Sequence, residues 1–190
     1  MSRETQRALF RQLPFAFVCR LMCCAPLLGL EAPLVERLFA SDESIESFYE
    51  TILDNAIDPI KDCFELLSDR DSYPLVVHCT AGKDRTGLLV ALVLRLCDVP
   101  LAQVAEDYAR SESHLAALLD RPGSLAAAVD DEPLLRGRTI ASPPQVMRSC
   151  LERIERERGS VRKYLEEWCG VPSEQLDMVR AILIRQDNVR

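Results

Sequence analysis

The sequence is short of the features that mark several protein classes. None of its eight cysteines (19, 23, 24, 63, 79, 97, 150 and 169) forms a Cys-x-x-Cys pair and there are only two histidines, so zinc-ligand spacing is absent. Cationic excess is lacking too. The 23 Lys and Arg stand against 30 Asp and Glu, a formal charge of −7, which argues against a general nucleic-acid binder because such proteins need a cationic face for phosphate backbones. A small local cationic site stays open. No GxxxxGK[ST] pattern occurs, which removes a Walker-type nucleotide loop. Nor is there a long uninterrupted apolar run: LPFAFVCRLMCCAPLLGL over 13–30 holds Arg20 in its middle and is broken by Pro14 and Pro26, so no transmembrane segment is expected. Behind Arg3, Arg7 and Arg11, this stretch reads as core strand plus loop in preference to a cleaved signal or an organelle presequence. Internal repeats and low-complexity tracts are missing.

What is present suits one folded unit. At 190 residues and 48% hydrophobic, the chain can bury a sizeable core without disulfides, so reduced thiols and a cytoplasmic location are expected. Apolar positions 45, 48, 49, 52, 53, 56, 57, 60, 64 and 67 follow helical spacing, with Pro59 expected to kink or divide the helix. After a polar turn over Ser68–Tyr73, Pro74 opens the apolar run Leu75-Val76-Val77, read as a buried strand. Leu88 to Cys97 is apolar on almost every face and should be a central buried helix. Asp98-Val99-Pro100 ends it, and a helix from Leu101 to about Glu112 follows. Residues 119–141 read as a loose or partly helical crossing, before three helices: one capped by Ser142, the others set off by Gly159-Ser160 and by Gly170 to Ser173. The expected class is α/β, with a small, possibly incomplete parallel sheet and a helical C-terminal half. Only one convincing strand is visible, with Leu13 to Cys19 as a second candidate, although a buried strand needs neighbours to satisfy its backbone.

Chemistry concentrates in HCTAGKDRTG, residues 78–87, between that strand and the central helix. Strand, tight loop and helix N-terminus bind anions because free N–H groups converge where the helix dipole is positive. Peptide groups from Thr80 through Ala81, Gly82, Lys83 and Asp84 to Arg85 can ring a phosphate, with Gly82 supplying a turn conformation that a side chain would hinder. Gly87 is expected to let the helix pack close to the sheet. Arg85, six positions after Cys79, can return to the same point and grip two phosphate oxygens. A thiol in that setting has its pKa lowered, which makes Cys79 a nucleophile aimed at phosphorus. The Thr86 hydroxyl can donate to the sulfur, and His78 is read as orienting the loop through backbone carbonyls.

Cys-x5-Arg within HCTAGKDRTG resembles the signature loop of the cysteine-dependent protein tyrosine phosphatase superfamily. Its AGKDRTG ending is most similar to the atypical tyrosine and phosphoinositide phosphatases of bacteria, fungi and protists. With the preceding helix, Asp107-Tyr108, GSVRKYL and Gly170-Val171-Pro172-Ser173, the resemblance covers roughly residues 45–185. It implies Cys79 as nucleophile, Arg85 as transition-state clamp, and hydrolysis of phosphotyrosine protein or phosphoinositide with no metal or cofactor. Lys83 is read as a second cation at the rim, suited to polyanionic inositol lipids, or as a solvated loop lysine.

The sequence also departs from that family. The general acid is usually an aspartate on a separate loop after a Leu-Pro-Phe-like stretch. Here Leu13-Pro14-Phe15 is followed by no carboxylate before Glu31. Asp84 is the substitute candidate, with holding the loop or pairing with a cation as its equal alternative; Asp42 or Glu43 would need their loop to fold over the site. A leading segment with further strands and an Asp-Leu-Arg motif is also missing. The expected organisation is therefore a single phosphatase-like domain over 1–190, with an atypical segment 1–43 and a recognisable core 44–187. A catalytically weak phosphate-binding relative that recognises phosphorylated partners is the rival reading. A rhodanese-like sulfur carrier fits poorly, since it would not need the Arg85-Thr86 pairing. Cys23, Cys24 and Cys63 read as structural in preference to a resolving thiol, His114 as a surface residue, residues 151–167 as a solvated helix face, and Trp168 as core or interface.

Overall fold

In the computed structural model, which describes residues 42–79, 82–119 and 140–184, every element is a helix. In chain order these are α1 (Asp42–Asn55), α2 (Ile57–Ser68), a 3₁₀ turn (Arg70–Ser72), α3 (Asp84–Leu96), α4 (Leu101–Leu119), α5 (Pro144–Arg158), α6 (Val161–Lys163, running on as a π-helical turn over Tyr164–Trp168) and α7 (Ser173–Leu183).

The expected α/β class is thereby overturned: among the described residues there is no strand and no sheet. Leu75-Val76-Val77, read as a buried strand, has no strand pairing among them, with Val76 86% and Val77 40% exposed. A strand is stabilised by neighbours that take up its backbone groups, and none of the described residues offers one. Three consecutive apolar residues carry no periodicity of their own, so the run alone could not decide the matter. The second strand candidate, Leu13–Cys19, and the whole of 1–41 lie outside the described residues, as do Thr80, Ala81 and 120–139.

The helical spacing from 45 to 67 yields two helices. The break falls at Ala56, and Pro59 sits in the first turn of α2, where its missing N–H would have had no helical acceptor. Helix α3 ends with Asp98 at a φ of 61°, while Asp98 N–H bonds Arg95 O and Val99 N–H bonds Leu94 O. These two bonds form a Schellman closure with aspartate in the usual glycine position. Pro143, not Ser142, occupies the N-cap of α5; the Ser142 hydroxyl donates instead to Ile140 O. The expected cap fails because a side chain two positions ahead of the first helical residue is outside the capping geometry.

One apolar cluster draws on every helix. Ile45, Phe48 and Leu53 of α1, Phe64 of α2, Leu92 of α3, Val104 of α4, Met147 and Leu151 of α5, Leu165 of the π turn and Leu176 of α7 are all buried in it. Helix α5 packs against α1 and α4, α7 against α2, and α3 against α1, α4 and α6. Thus α3 is central, as its nearly all-apolar sequence predicts. Its N-terminus, where the loop enters, is placed by α1, α4 and the residues just ahead of α5.

Candidate active site

The loop approaches α3 through Cys79, Gly82 and Lys83. Gly82 has a φ of +66°, the left-handed region where only glycine is unstrained, so the reading of Gly82 as a turn residue agrees with its conformation. Lys83 takes the N-cap position of α3 but supplies no side-chain cap. The first-turn N–H groups consequently have no partner from a capping side chain, and the Thr86 N–H turns toward the Cys79 sulfur together with that of Gly82.

Cys79 is half-buried. Burial pushes its thiol up, but hydrogen bonding from Thr86 through hydroxyl and N–H, the Gly82 N–H and the Arg85 charge outweigh this and leave it below the ordinary thiol value. The Thr86 hydroxyl reaches the sulfur without well-aligned geometry. Among the described residues it has no hydrogen-bond partner that meets distance and angle together, yet it stands first among the groups that lower the Cys79 thiol. The His78 ring is exposed, with Nδ1 3.2 Å from the backbone carbonyl oxygen of Cys79.

Asp84 and Lys83 turn inward. Lys83 is only 1% exposed, and its Nζ donates to Ala141 O at 2.9 Å while lying 3.4 Å from Asp84 Oδ1. It therefore presents no charge at the rim. Asp84 Oδ1 also accepts from the Tyr49 hydroxyl at 2.6 Å, and that hydroxyl lies 2.6 Å from the Tyr108 hydroxyl. Of the two alternatives for Asp84, this geometry suits the holding role. Asp42 and Glu43 are exposed on the first turn of α1.

Sequence reasoning missed the two tyrosines that meet here. Tyr49 and Tyr108 are 0% and 3% exposed, with rings edge-on at 83° and centroids 6.1 Å apart. Burial first, and then the Asp84 charge, hold the Tyr49 hydroxyl well above its ordinary pKa, and burial likewise raises that of Tyr108. Both remain protonated donors. In the sequence Tyr49 counts only among the apolar helix positions, and Tyr108 only within the Asp107-Tyr108 pair that carries the resemblance. Gly87 brings α3 close, but to Tyr108 of α4 and not to a sheet: a Cβ there would lie 2.9 Å from the ring. Beside it, a cavity of about 100 Å³ runs between α3 and α4, from Gly82 and Thr86 to Leu94 and Val104.

The remaining expectations concern the periphery. His114 is exposed and its ring bonds Arg110 O. Arg153 in 151–167 is no solvated residue: it bonds both Asp54 oxygens at 3.0 Å and braces α5 on α1. Trp168 is 43% exposed, with the Arg158 guanidinium 3.5 Å over its ring. Cys63, Cys97, Cys150 and Cys169 are free thiols, whereas Cys23 and Cys24 lie outside the described residues. No helix among the described residues is long and apolar enough to cross a membrane.

A tyrosine-protein phosphatase of Nostoc commune is 32% identical over 90 residues, 47% of this chain and 31% of that protein. An inositol diphosphatase of Arabidopsis thaliana is 28% identical over 106 residues, 52% of this chain and 40% of its own length. A triple specificity protein phosphatase of Mycobacterium tuberculosis is 26% identical over 122 residues, 58% and 44% of the two chains. The chain thus spans between about a third and a half of the length of these curated relatives. The model of the tyrosine phosphatase family matches residues 29–185, most of the sequence and all of the site, and the chain therefore belongs to that family of cysteine-dependent phosphatases.

Proposed function

We propose that this chain hydrolyses phosphomonoesters in two steps through a phosphocysteine at Cys79. The thiolate attacks phosphorus, forming a P–S bond as the P–O ester bond breaks. Water then attacks the phosphocysteine, forming P–O and returning the electron pair to sulfur, a departure the Thr86 hydroxyl eases. Arg85 grips the equatorial oxygens with the N–H groups of Thr80 to Arg85, and His78 orients the loop. The observation that carries this reading is the geometry of the loop: Gly82 turns at a φ of +66°, and Asp84, Arg85 and Thr86 open an uncapped helix N-terminus behind Cys79, a setting that lowers its thiol.

For substrate, we favour phosphotyrosine protein over phosphoinositide. Relatives carry names of both kinds, but Lys83, the cation expected to meet an inositol polyanion, is buried on Ala141 and Asp84. A low-pKa thiol in regular use also suits a reducing compartment, which supports the cytoplasm. Asp84 we read as scaffold, since Tyr49 and Lys83 engage its carboxylate. That engagement is also what favours the rival reading of a weak, phosphate-binding relative, because such a site has no ready proton for a poor leaving group.

An activated aryl phosphate hardly needs the proton and so separates the two. The 190-residue chain should release phosphate from it, Cys79→Ser should not while still binding phosphate, and Arg85→Ala should lose both. Turnover that survives Cys79→Ser would refute the nucleophile; a folded but inactive chain would establish the binding remnant.

A further inference from the structure

We infer that Tyr49 is a positioning residue for the loop: through Asp84 its hydroxyl ties the first turn of α3, and with it the donors around Cys79, to α1. The inference rests on the phosphatase reading of Cys79 for its consequence, but not for its geometry.

A buried hydroxyl is costly unless bonded, and a core position that only needed an aromatic ring would be served by phenylalanine. Tyr49 is 0% exposed and its oxygen has two partners, Asp84 Oδ1 and the Tyr108 hydroxyl, both at 2.6 Å. Asp84 is the first residue of α3 and shares its first turn with Arg85 and Thr86. Whatever fixes the Asp84 side chain therefore fixes the direction of the Thr86 N–H and hydroxyl and the root of Arg85. Both residues are among those that draw the Cys79 proton away.

The helix start has no side-chain cap to hold it in place. Its anchorage comes from outside. Tyr49 of α1 holds Asp84, Lys83 reaches Ala141 O ahead of α5, and the Tyr108 ring of α4 lies against Gly87. Among the described residues, titratable and charged groups at the two ends of this tie include His78 and Arg85 at Cys79, Tyr49, Tyr108 and Lys83 at Asp84, and Cys150 beside Tyr108. Both tyrosines stay neutral, so the tie persists over the working range of a thiolate.

Tyr49→Phe removes one oxygen and keeps the ring. With the 190-residue chain, iodoacetamide labelling is followed at Cys79 by peptide mass spectrometry, and turnover with an aryl phosphate. Near about pH 6, Cys79 labelling should slow about threefold, because the thiol moves back toward its ordinary value. Turnover should fall about tenfold, chiefly in kcat, since displaced donors act on the transition state more than on binding. Tyr164→Phe is the matched control: it removes another buried hydroxyl, which donates to Leu53 O at 2.7 Å between the π turn and α1, and should leave Cys79 labelling unchanged. Because Tyr49 acts through Asp84, Tyr49→Phe with Asp84→Ala should be no worse than the worse single variant. Wild-type labelling in Tyr49→Phe, or losses that add in the double variant, would overturn the inference. Asp84→Ala, which removes the accepting oxygens, cuts the tie from the loop side and gives the same answer if Tyr49→Phe does not fold. A wild-type chain without turnover would refute the phosphatase reading, while the labelling arm would still decide the role of Tyr49.

Discussion

A thiol serves as a nucleophile only where its surroundings prefer the sulfur without its proton. At Cys79 burial works the other way, and the N–H groups of Thr86 and Gly82, the Thr86 hydroxyl and Arg85 reverse it. The net shift is downward, so Cys79 should react with iodoacetamide at pH values where an ordinary thiol, near about 8.5, is still protonated. Arg85→Ala should move the labelling midpoint up, and a midpoint that stays put would mean the two N–H groups suffice. The linkage has a definite sign. A folded-state pKa below the unfolded one contributes stability above the unfolded thiol pKa, and that contribution fades as pH falls through the folded value. The neighbours of Cys79 were legible because sequence separation alone returns Arg85 and Thr86 to it across one tight loop. Tyr49, thirty-five residues before Asp84, was not. On a helix whose neighbouring apolar positions are core, a tyrosine looks like one more ring, and only the fold reveals what its oxygen meets.

Among elements, the contact that matters most for the site is α3 against α4. It closes at Gly87, where an added Cβ would meet Tyr108 Cδ2 at 2.9 Å and Cε2 at 3.2 Å. Alanine would favour the helix by about 1 kcal/mol, but overpacking against a ring already wedged on Tyr49 costs about 1–3 kcal/mol. Gly87→Ala should therefore lower stability by about 1 kcal/mol, read from the midpoint of urea unfolding, together with a slower Cys79 reaction as Tyr108 is pushed off Tyr49. A variant as stable as wild type would mean the ring yields freely. Here sequence reading was right that glycine permits close approach and wrong about the partner, because closeness is a local property of glycine while the partner is a property of the fold. Element ends show the same division. The stop at Asp98-Val99-Pro100 was visible as turn chemistry, yet the break between α1 and α2 sits at Ala56, which carries no breaker signal, and not at Pro59, which a first turn tolerates.

At the scale of the molecule, amphipathic periodicity identified the helices and their common core, because each buried face repeats over several turns. It had nothing comparable to say about sheet, since Leu75-Val76-Val77 is too short to carry a period and pairing is a long-range property. The two kinds of apolar residue should respond to substitution by very different amounts. Phe64, fully buried between α2 and α7, should cost about 3–5 kcal/mol on Phe64→Ala, through lost transfer energy and the cavity left behind. Val76, 86% exposed, should cost no more than about 0.5 kcal/mol on Val76→Ser, since the change removes almost no buried apolar area. Thermal unfolding of both variants beside the wild type checks the pair. A loss at Val76 approaching that at Phe64 would mean that residues 75–77 are covered in solution, and the approach to Cys79 would then be held by packing on both sides of the loop. An unchanged midpoint leaves the loop anchored from its α3 side, where Tyr49, Ala141 and Tyr108 hold it.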